Sequence, residues 1–152
     1  MREMKFVADH MLGKLARWLR LLGYDVLYPE AGKSDGELAT LAEQTGRILL
    51  TRDKQLAART RNGLLIKSDD VQAQIEELKR NLGLRTELEL DRCSVCNNLI
   101  EKVEPGFVRD KVPEKVFASF NEFWYCRHCR KIYWYGSHVE KMQERLKNAG
   151  SS

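Results

Sequence analysis

Short apolar runs alternate with helix-period stripes through the first half of the chain, and this alternation restricts the fold more than any other feature. Lys5-Phe6-Val7-Ala8 reads as a strand. Leu12, Leu15, Ala16, Leu19 and Leu22 then recur at helical spacing until Gly23 stops them. Residues 24–28 form a second run, closed by Pro29. Ser34-Asp35-Gly36-Glu37 has the form of a capping box, opening a helix with Leu38, Leu41 and Ala42 on its apolar face and Gly46 at its end. Residues 47–51 predict a third strand, residues 54–60 a short helix, Asn62-Gly63 a turn and residues 64–67 a fourth strand. Val71, Ile75, Leu78 and Leu82 mark a last helix, ended by Gly83. Such alternation predicts an α/β fold: a small three-layer domain with a parallel sheet, helices on both faces and right-handed crossovers.

Three of the apolar runs lead into aspartate. The first stops at Asp9, the third at Arg52-Asp53, and the fourth leads into Ser68-Asp69-Asp70. Asp35, with Glu37 close by, follows the second strand after a loop. In a parallel sheet these side chains gather at the carboxyl rim, where open α/β folds place their sites. Gathered like charges repel unless a cation binds them. The set is similar to the pocket of a two-metal nuclease, in which carboxylates hold Mg2+ or Mn2+ ions about 3.5–4 Å apart. Helix capping competes for the same residues, since each aspartate sits just before a predicted helix. Ser34 and Glu37 can satisfy a capping box with no further role, and Ser68 or Asp69 can cap the last helix and leave Asp70 free.

Composition changes after about Leu84: cysteines appear, aromatics become dense and proline returns at Pro105 and Pro113. The boundary therefore falls between residues 84 and 91, giving a nuclease-like unit over 1–84 and a second unit over 85–152, joined by a linking strand at residues 85–90. Cys93-Ser94-Val95-Cys96 and Cys126-Arg127-His128-Cys129 are two C-x-x-C knuckles separated by 29 residues. Two such turns facing each other make a closed four-thiolate cage suited to structural zinc. His128 could replace a cysteine, but four thiolates suffice, and it reads as an exposed turn residue. The long gap predicts an added hairpin or helix near Pro113-Glu114-Lys115-Val116-Phe117. A helix over residues 139–147, capped by Ser137, closes the chain, and Gly150-Ser151-Ser152 reads as a frayed tail.

The opening Met1-Arg2-Glu3-Met4-Lys5 is charged, and no apolar run approaches the roughly 20 residues of a membrane span. The expected location is the cytoplasm, where cysteines stay reduced and metal binding is favoured over disulfides. The net charge of +4 permits a nucleic-acid partner without requiring one. The sequence has no G-x-x-x-x-G-K-[ST], no G-x-G-x-x-G and no G-x-S-x-G. Phosphate-loop, dinucleotide and serine-hydrolase chemistries are thereby set aside.

Phe6-Val7-Ala8-Asp9, followed by Leu12-Gly13-Lys14-Leu15-Ala16-Arg17-Trp18-Leu19-Arg20-Leu21-Leu22-Gly23-Tyr24-Asp25, resembles the opening of the Mut-seven C-terminal ribonuclease family, a prokaryotic group of PIN-like domains carrying a zinc ribbon. Ser34-Asp35, Gly46-Arg47-Ile48-Leu49-Leu50-Thr51-Arg52-Asp53 and Tyr133-Trp134-Tyr135-Gly136-Ser137-His138 match it too. The resemblance implies a PIN-type sheet and metal-dependent ribonuclease chemistry. It assigns Asp9 to the acid after strand one, Asp35 to the acid opening helix two and Asp53 to the acid of the Thr-Arg-Asp motif. The fourth acid is open between Asp69 and Asp70, with Glu37 in reserve near Asp35. The implied cofactors are structural Zn at Cys93, Cys96, Cys126 and Cys129, and catalytic Mg or Mn at Asp9, Asp35 and Asp53.

Lys14, Arg17, Trp18 and Leu21 share the helix face opposite the apolar stripe. Lys14 and Arg17 could neutralise RNA phosphates and Trp18 could stack on a base, although packing against the second unit is the preferred reading for Trp18. Arg52 either pairs with a neighbouring acid or touches phosphate. Arg127 and Lys131, interleaved with aromatics, suit single-stranded RNA. His10 is a helix-entry residue beside Asp9. His138 reads as a surface residue that can reach the first unit. The expected activity is hydrolysis of RNA, single-stranded or structured, by metal-activated water. The rivals are a non-catalytic RNA- or ribosome-binding adaptor that keeps the zinc ribbon, and a zinc-stabilised protein-interaction module.

Overall fold

The computed structural model describes residues 3–29 and 32–149; the tail expected at Gly150-Ser151-Ser152 lies outside them. The first sheet contains β1 (Lys5–Ala8), β2 (Asp25–Leu27), β3 (Ile48–Thr51) and β4 (Gly63–Leu65), all parallel, in the order β2-β1-β3-β4. The crossovers are α1 (Gly13–Leu21), α2 (Asp35–Thr45) and α3 (Lys54–Arg59), and α4 (Val71–Leu82) follows the last strand. β1 leads outward to β2, and the chain then returns across β1 to β3. Strand order thus reverses between β1 and β3, which opens a crevice beyond their carboxyl ends.

Side-chain alternation fills both faces. Phe6, Ala8 and Leu50 point into one core with Leu15 and Leu19 of α1 and Ile75 and Leu78 of α4. Val7 and Leu49 point into the other with Leu38 and Ala42 of α2 and Leu56 of α3. The five leucine and alanine positions read as the inner stripe of α1 are all buried. The capping box forms as its sequence requires: Glu37 N donates to Ser34 Oγ and Ser34 N to Glu37 Oε1, both at 3.1 Å. Gly46 and Gly83 end α2 and α4 at φ of 63° and 67°, the left-handed region where glycine costs least.

The second unit is a three-stranded antiparallel sheet of β5 (Glu101–Val103), β6 (Phe123–Tyr125) and β7 (Ile132–Tyr133). The short helices α5 (Pro105–Val108) and α6 (Glu114–Ser119) fill the long gap between knuckles, where an insertion was expected. Alternation places the aromatics on two faces: Tyr133 and Tyr135 join Trp124 around the cysteines, while Trp134 meets Phe123 edge-on at 6.4 Å. Helix α7 (Ser137–Ala149) then returns to the first unit and buries Met142 and Leu146 in the core shared by α1 and α4.

Three expectations need correction. No strand forms at residues 85–90; the backbone there is served by side chains, with Tyr24 Oη bridging Arg85 N and O, and Gln143 taking Leu88 N and donating to Thr86 O. The fourth strand ends at Leu65 rather than residue 67, because Lys67 N turns from the ladder to Glu77. Ser137 lies inside α7, and the first turn closes on Gly136 O instead. The α1 face carrying Trp18 and Leu21 is covered by α7 and the cysteine unit, the packing expected of Trp18.

Candidate active site

The carboxyl ends of β1 and β3 are tied by one hydroxyl. Asp9 N continues the ladder to Leu50 O at 3.0 Å, which sets the Asp9 carboxylate at the crevice. Thr51 Oγ1 donates to Asp9 Oδ2 at 2.8 Å and accepts from Asp53 N at 3.1 Å. Thr51 is fully buried and Asp9 is 5% exposed. The other Asp9 oxygen, Oδ1, accepts from His10 N at 2.7 Å and lies 2.8 Å from His10 Nδ1. The turn carrying His10 is fixed from behind by Tyr28, whose hydroxyl donates to His10 O at 2.6 Å. A Cβ on Gly13 would stand 2.8 Å from that hydroxyl, so a larger residue there would push Tyr28 away from His10 O.

Capping and rim position coincide in this protein. Asp53 Oδ1 accepts from Gln55 N and Leu56 N and starts α3. Asp70 Oδ1 accepts from Ala73 N and starts α4, a role expected of Ser68 or Asp69. Among the described residues the Oδ2 atoms of Asp53 and Asp70 accept no hydrogen bond. Asp69 is engaged by Arg52 at 2.7 Å, and Arg52 also donates to Ser68 O at 2.5 Å, so the ion-pair reading of Arg52 holds. Asp35 is exposed and lies 3.7 Å from Arg59. Glu37 is exposed in its capping box, and the bonds from Ser34, backbone first, hold its carboxyl below the usual range.

The structure joins the Asp9 carboxylate and the backbone N–H of Asp53 through the Thr51 hydroxyl, and leaves Asp69 and Asp70 adjacent in the loop after β4. It does not draw three of these carboxylates into ligand distance: among the described residues, the only group of that kind is the cysteine quartet.

Sequence reasoning missed two supports. Thr51 stood in the quoted Thr-Arg-Asp motif, where its neighbours drew the attention. Glu77 gave no signal, because a charged residue on an amphipathic helix reads as solvated. It is buried, and it accepts from Lys67 N, Ser68 N and Ser68 Oγ, fixing the loop that carries Asp69 and Asp70. Burial raises the Glu77 carboxyl, but these bonds outweigh it and the net direction is down.

The cysteine quartet is built from two copies of one turn. Asn97 N donates to Cys93 O and Arg130 N to Cys126 O. Cys93 N returns to Asn98 O and Cys126 N to Lys131 O. Asn97 and Arg130, each just after the second cysteine of its knuckle, both take positive φ, 71° and 63°. The four sulfurs lie within 4.8 Å of one another, with Cys96 and Cys126 at 3.6 Å. Zn–S bonds of about 2.3 Å set tetrahedral edges of about 3.8 Å, so the cage fits zinc. Burial opposes ionisation of Cys96, yet bonds from Asn98 and the other thiols bring it down to about 6. Cys129 is pushed up to about 12 by its contact with Cys96 and by burial. Four thiolates therefore cannot coexist without a positive charge among them. His128 is exposed beside the cage, with Nδ1 3.7 Å from Cys129 Sγ.

The remaining candidates for RNA contact are divided. Lys14 and Arg17 are exposed on α1. Trp18 is 5% exposed and packs 5.4 Å from His138, the packing role preferred for it, with His138 reaching the first unit. Arg127 pairs with Glu101 at 2.7 Å, and Lys131 sits 5.3 Å over the Tyr133 ring. No helix among the described residues is long and apolar enough to cross a membrane.

A family model described as Mut7-C RNAse domain matches residues 4–146, nearly the whole chain and both structural units. No curated protein matches the sequence.

Proposed function

The chain belongs to the Mut7-C RNAse domain family, and on that premise we propose that it is a metal-dependent endoribonuclease working by a two-metal mechanism, with a structural zinc ribbon. One observation carries the reading: a buried carboxylate, Asp9, at the strand-order reversal, coupled through Thr51 to the turn that bears Asp53. Thr51 Oγ1 and the N–H and ring of His10 hold both Asp9 oxygens in one orientation at the crevice, which supports a role for Asp9 as a fixed metal ligand there.

Asp9 and Asp53, joined by Asp70 and by Asp35 from the start of α2, would hold Mg2+ or Mn2+. Such an ion supplies an activated water for attack on a phosphodiester and neutralises charge on the leaving oxygen. The chain's own part is positioning. Thr51 fixes one Asp9 oxygen and the Asp53 turn together. His10 and its backbone fix the other Asp9 oxygen. Glu77 holds the loop that presents Asp70, and Arg52 keeps Asp69 turned aside.

The adaptor reading draws on one observation, that no three rim carboxylates approach ligand distance among the described residues. A single measurement separates the two. Zinc-loaded protein, given Mg2+ or Mn2+, should cleave single-stranded RNA to 5′-phosphate and 3′-hydroxyl ends. Asp9→Asn should lower turnover about 10²–10³-fold, with circular dichroism and zinc content checking that the variant is folded. Cleavage by Asp9→Asn at the parent's rate would identify a contaminant as the source, and tight binding with no turnover would leave the adaptor.

A further inference from the structure

We propose that α7 belongs to the substrate surface: Lys14 of α1 and Arg145 of α7 grip phosphates of a single RNA strand passing toward the Asp69–Asp70 edge of the rim. The inference rests on the hydrolytic reading and adds to it a part of the molecule that lies outside the parallel unit in sequence.

A cavity of about 520 Å³ opens between α1, the start of α4 and α7. Its floor is apolar, made by Leu15, Trp18 and Met142, all buried. Its walls are charged, with Lys14 and Arg145 contributing cations and Asp69 and Asp70 contributing acids. In a cavity so lined, opposite charges would ordinarily pair. Here neither Lys14 nor Arg145 has a carboxylate within 4.0 Å among the described residues. Seven other basic side chains, at Lys33, Arg47, Arg52, Arg59, Arg92, Lys102 and Arg127, each lie within 4.0 Å of an acid. Asp69 is taken by Arg52 and Asp70 caps α4 through one oxygen, so the two groove cations are left for a ligand that is itself anionic, as an RNA backbone is. The volume is that of a small-ligand pocket, with room for about one or two nucleotides of single strand and none for a duplex. His138, held against Trp18, lines the same cavity and offers a ring face beside it.

The test uses full-length, zinc-loaded protein with Asp9→Asn as the non-cleaving background and a fluorescein-labelled single-stranded 12-mer oligoribonucleotide as probe. Anisotropy titrations across a KCl series give Kd and its salt slope. Lys14→Gln and Arg145→Gln should each weaken binding about 3–10-fold and lower the slope by about 0.7. Lys115→Gln, on exposed α6 away from the groove, should change neither. Parent Kd and slope in both groove variants would overturn the proposal. Repeating the titration with Asp9 intact, in buffer free of added Mg2+ and Mn2+, guards against misfolding of the background. Groove effects without cleavage by the parent would sink the hydrolytic reading and leave the groove standing. Cleavage with unchanged groove slopes would do the reverse.

Discussion

The parallel unit and the cysteine unit solve the same problem by opposite means. The first buries Phe6, Leu15, Leu19, Leu50, Ile75 and Leu78 around a sheet whose two faces are both covered. Packing of this kind needs no ligand. The second has two- and three-residue strands, no buried hydrophobic residue in α6 and a core whose centre is sulfur and tyrosine. Three such strands cannot offset the entropy of ordering them, so a metal cage must supply the difference. The comparison teaches where function can be afforded. The self-sufficient unit holds a buried acid, Asp9, at its rim, braced by Thr51 and His10, while the polar groups of the other unit hold its own turns together.

The sharpest way to break this contrast is to remove the cage. Cys93→Ser with Cys126→Ser, or a strong zinc chelator, should unravel β5 to β7 while the parallel sheet keeps its protection. The loss is large, since structural zinc contributes on the order of 10 kcal/mol or more. Hydrogen exchange read by mass spectrometry resolves the outcome by segment. Helix α7 is the informative piece. Read from sequence it belongs to the cysteine unit, yet Met142 and Leu146 sit in the first unit's core, so it should stay protected. Loss of α7 together with the ribbon strands would show that the units are one cooperative body.

The second prediction attacks the joint. Arg20 of α1 is buried, and it donates to Val26 O twice, at 3.0 and 2.7 Å. It also donates to Ser94 O at 3.0 Å and Val95 O at 3.2 Å, inside the first knuckle. Arg20→Met keeps the volume and leaves three carbonyls without a donor. The cost should be about 3 kcal/mol. Calorimetry should then show two transitions where the parent shows one, with zinc released in the first. A single transition at the parent's temperature would mean that Arg20 does not couple the units.

The same joint marks the limit of what was legible in the sequence. Strand one, the capping box and the last helix of the first unit could be placed almost to the residue, because each is written in local signals: alternation, a Ser-x-x-Glu pair and terminal glycines. The cysteine cage was legible because ligand spacing is itself a local signal. Arg20 was not, since an arginine on an amphipathic helix reads as solvent-facing, and its partners lie 74 and 75 positions away. The covered face of α1 was half legible: Trp18 suggested packing by its size, but nothing in the pattern showed that α7 would come back to meet it. At the rim the residue types were readable and their division of labour was not. Asp53 and Asp70 cap helices through one oxygen and keep the other, and only coordinates separate those two uses.

The smallest expected effect lies at Asp25, where both units meet. Its carboxylate takes Arg47 Nη1 and Nη2 at 2.8 and 3.2 Å and Asn97 Nδ2 at 2.7 Å, with Arg92 at 3.9 Å. Asn97 in turn accepts from Val26 N, which joins the knuckle to the edge strand. Burial raises the Asp25 carboxyl, but the bonds from Arg47 and Asn97 and the two arginine charges prevail, and its pKa falls below the ordinary 3.8. A depressed folded-state pKa means that the unfolded chain binds the extra proton first as pH drops. The contribution is therefore complete above about pH 4 and is lost as pH falls through the lower, folded value. Asp25→Asn should cost about 1–2 kcal/mol at pH 7, and it should flatten the acid limb of the stability curve below about pH 4. Urea unfolding from pH 7 down to 3 compares the two slopes directly. Parallel acid limbs in parent and variant would place the pH-sensitive contact elsewhere and leave Arg20 as the stronger tie between a unit built on packing and one built on sulfur.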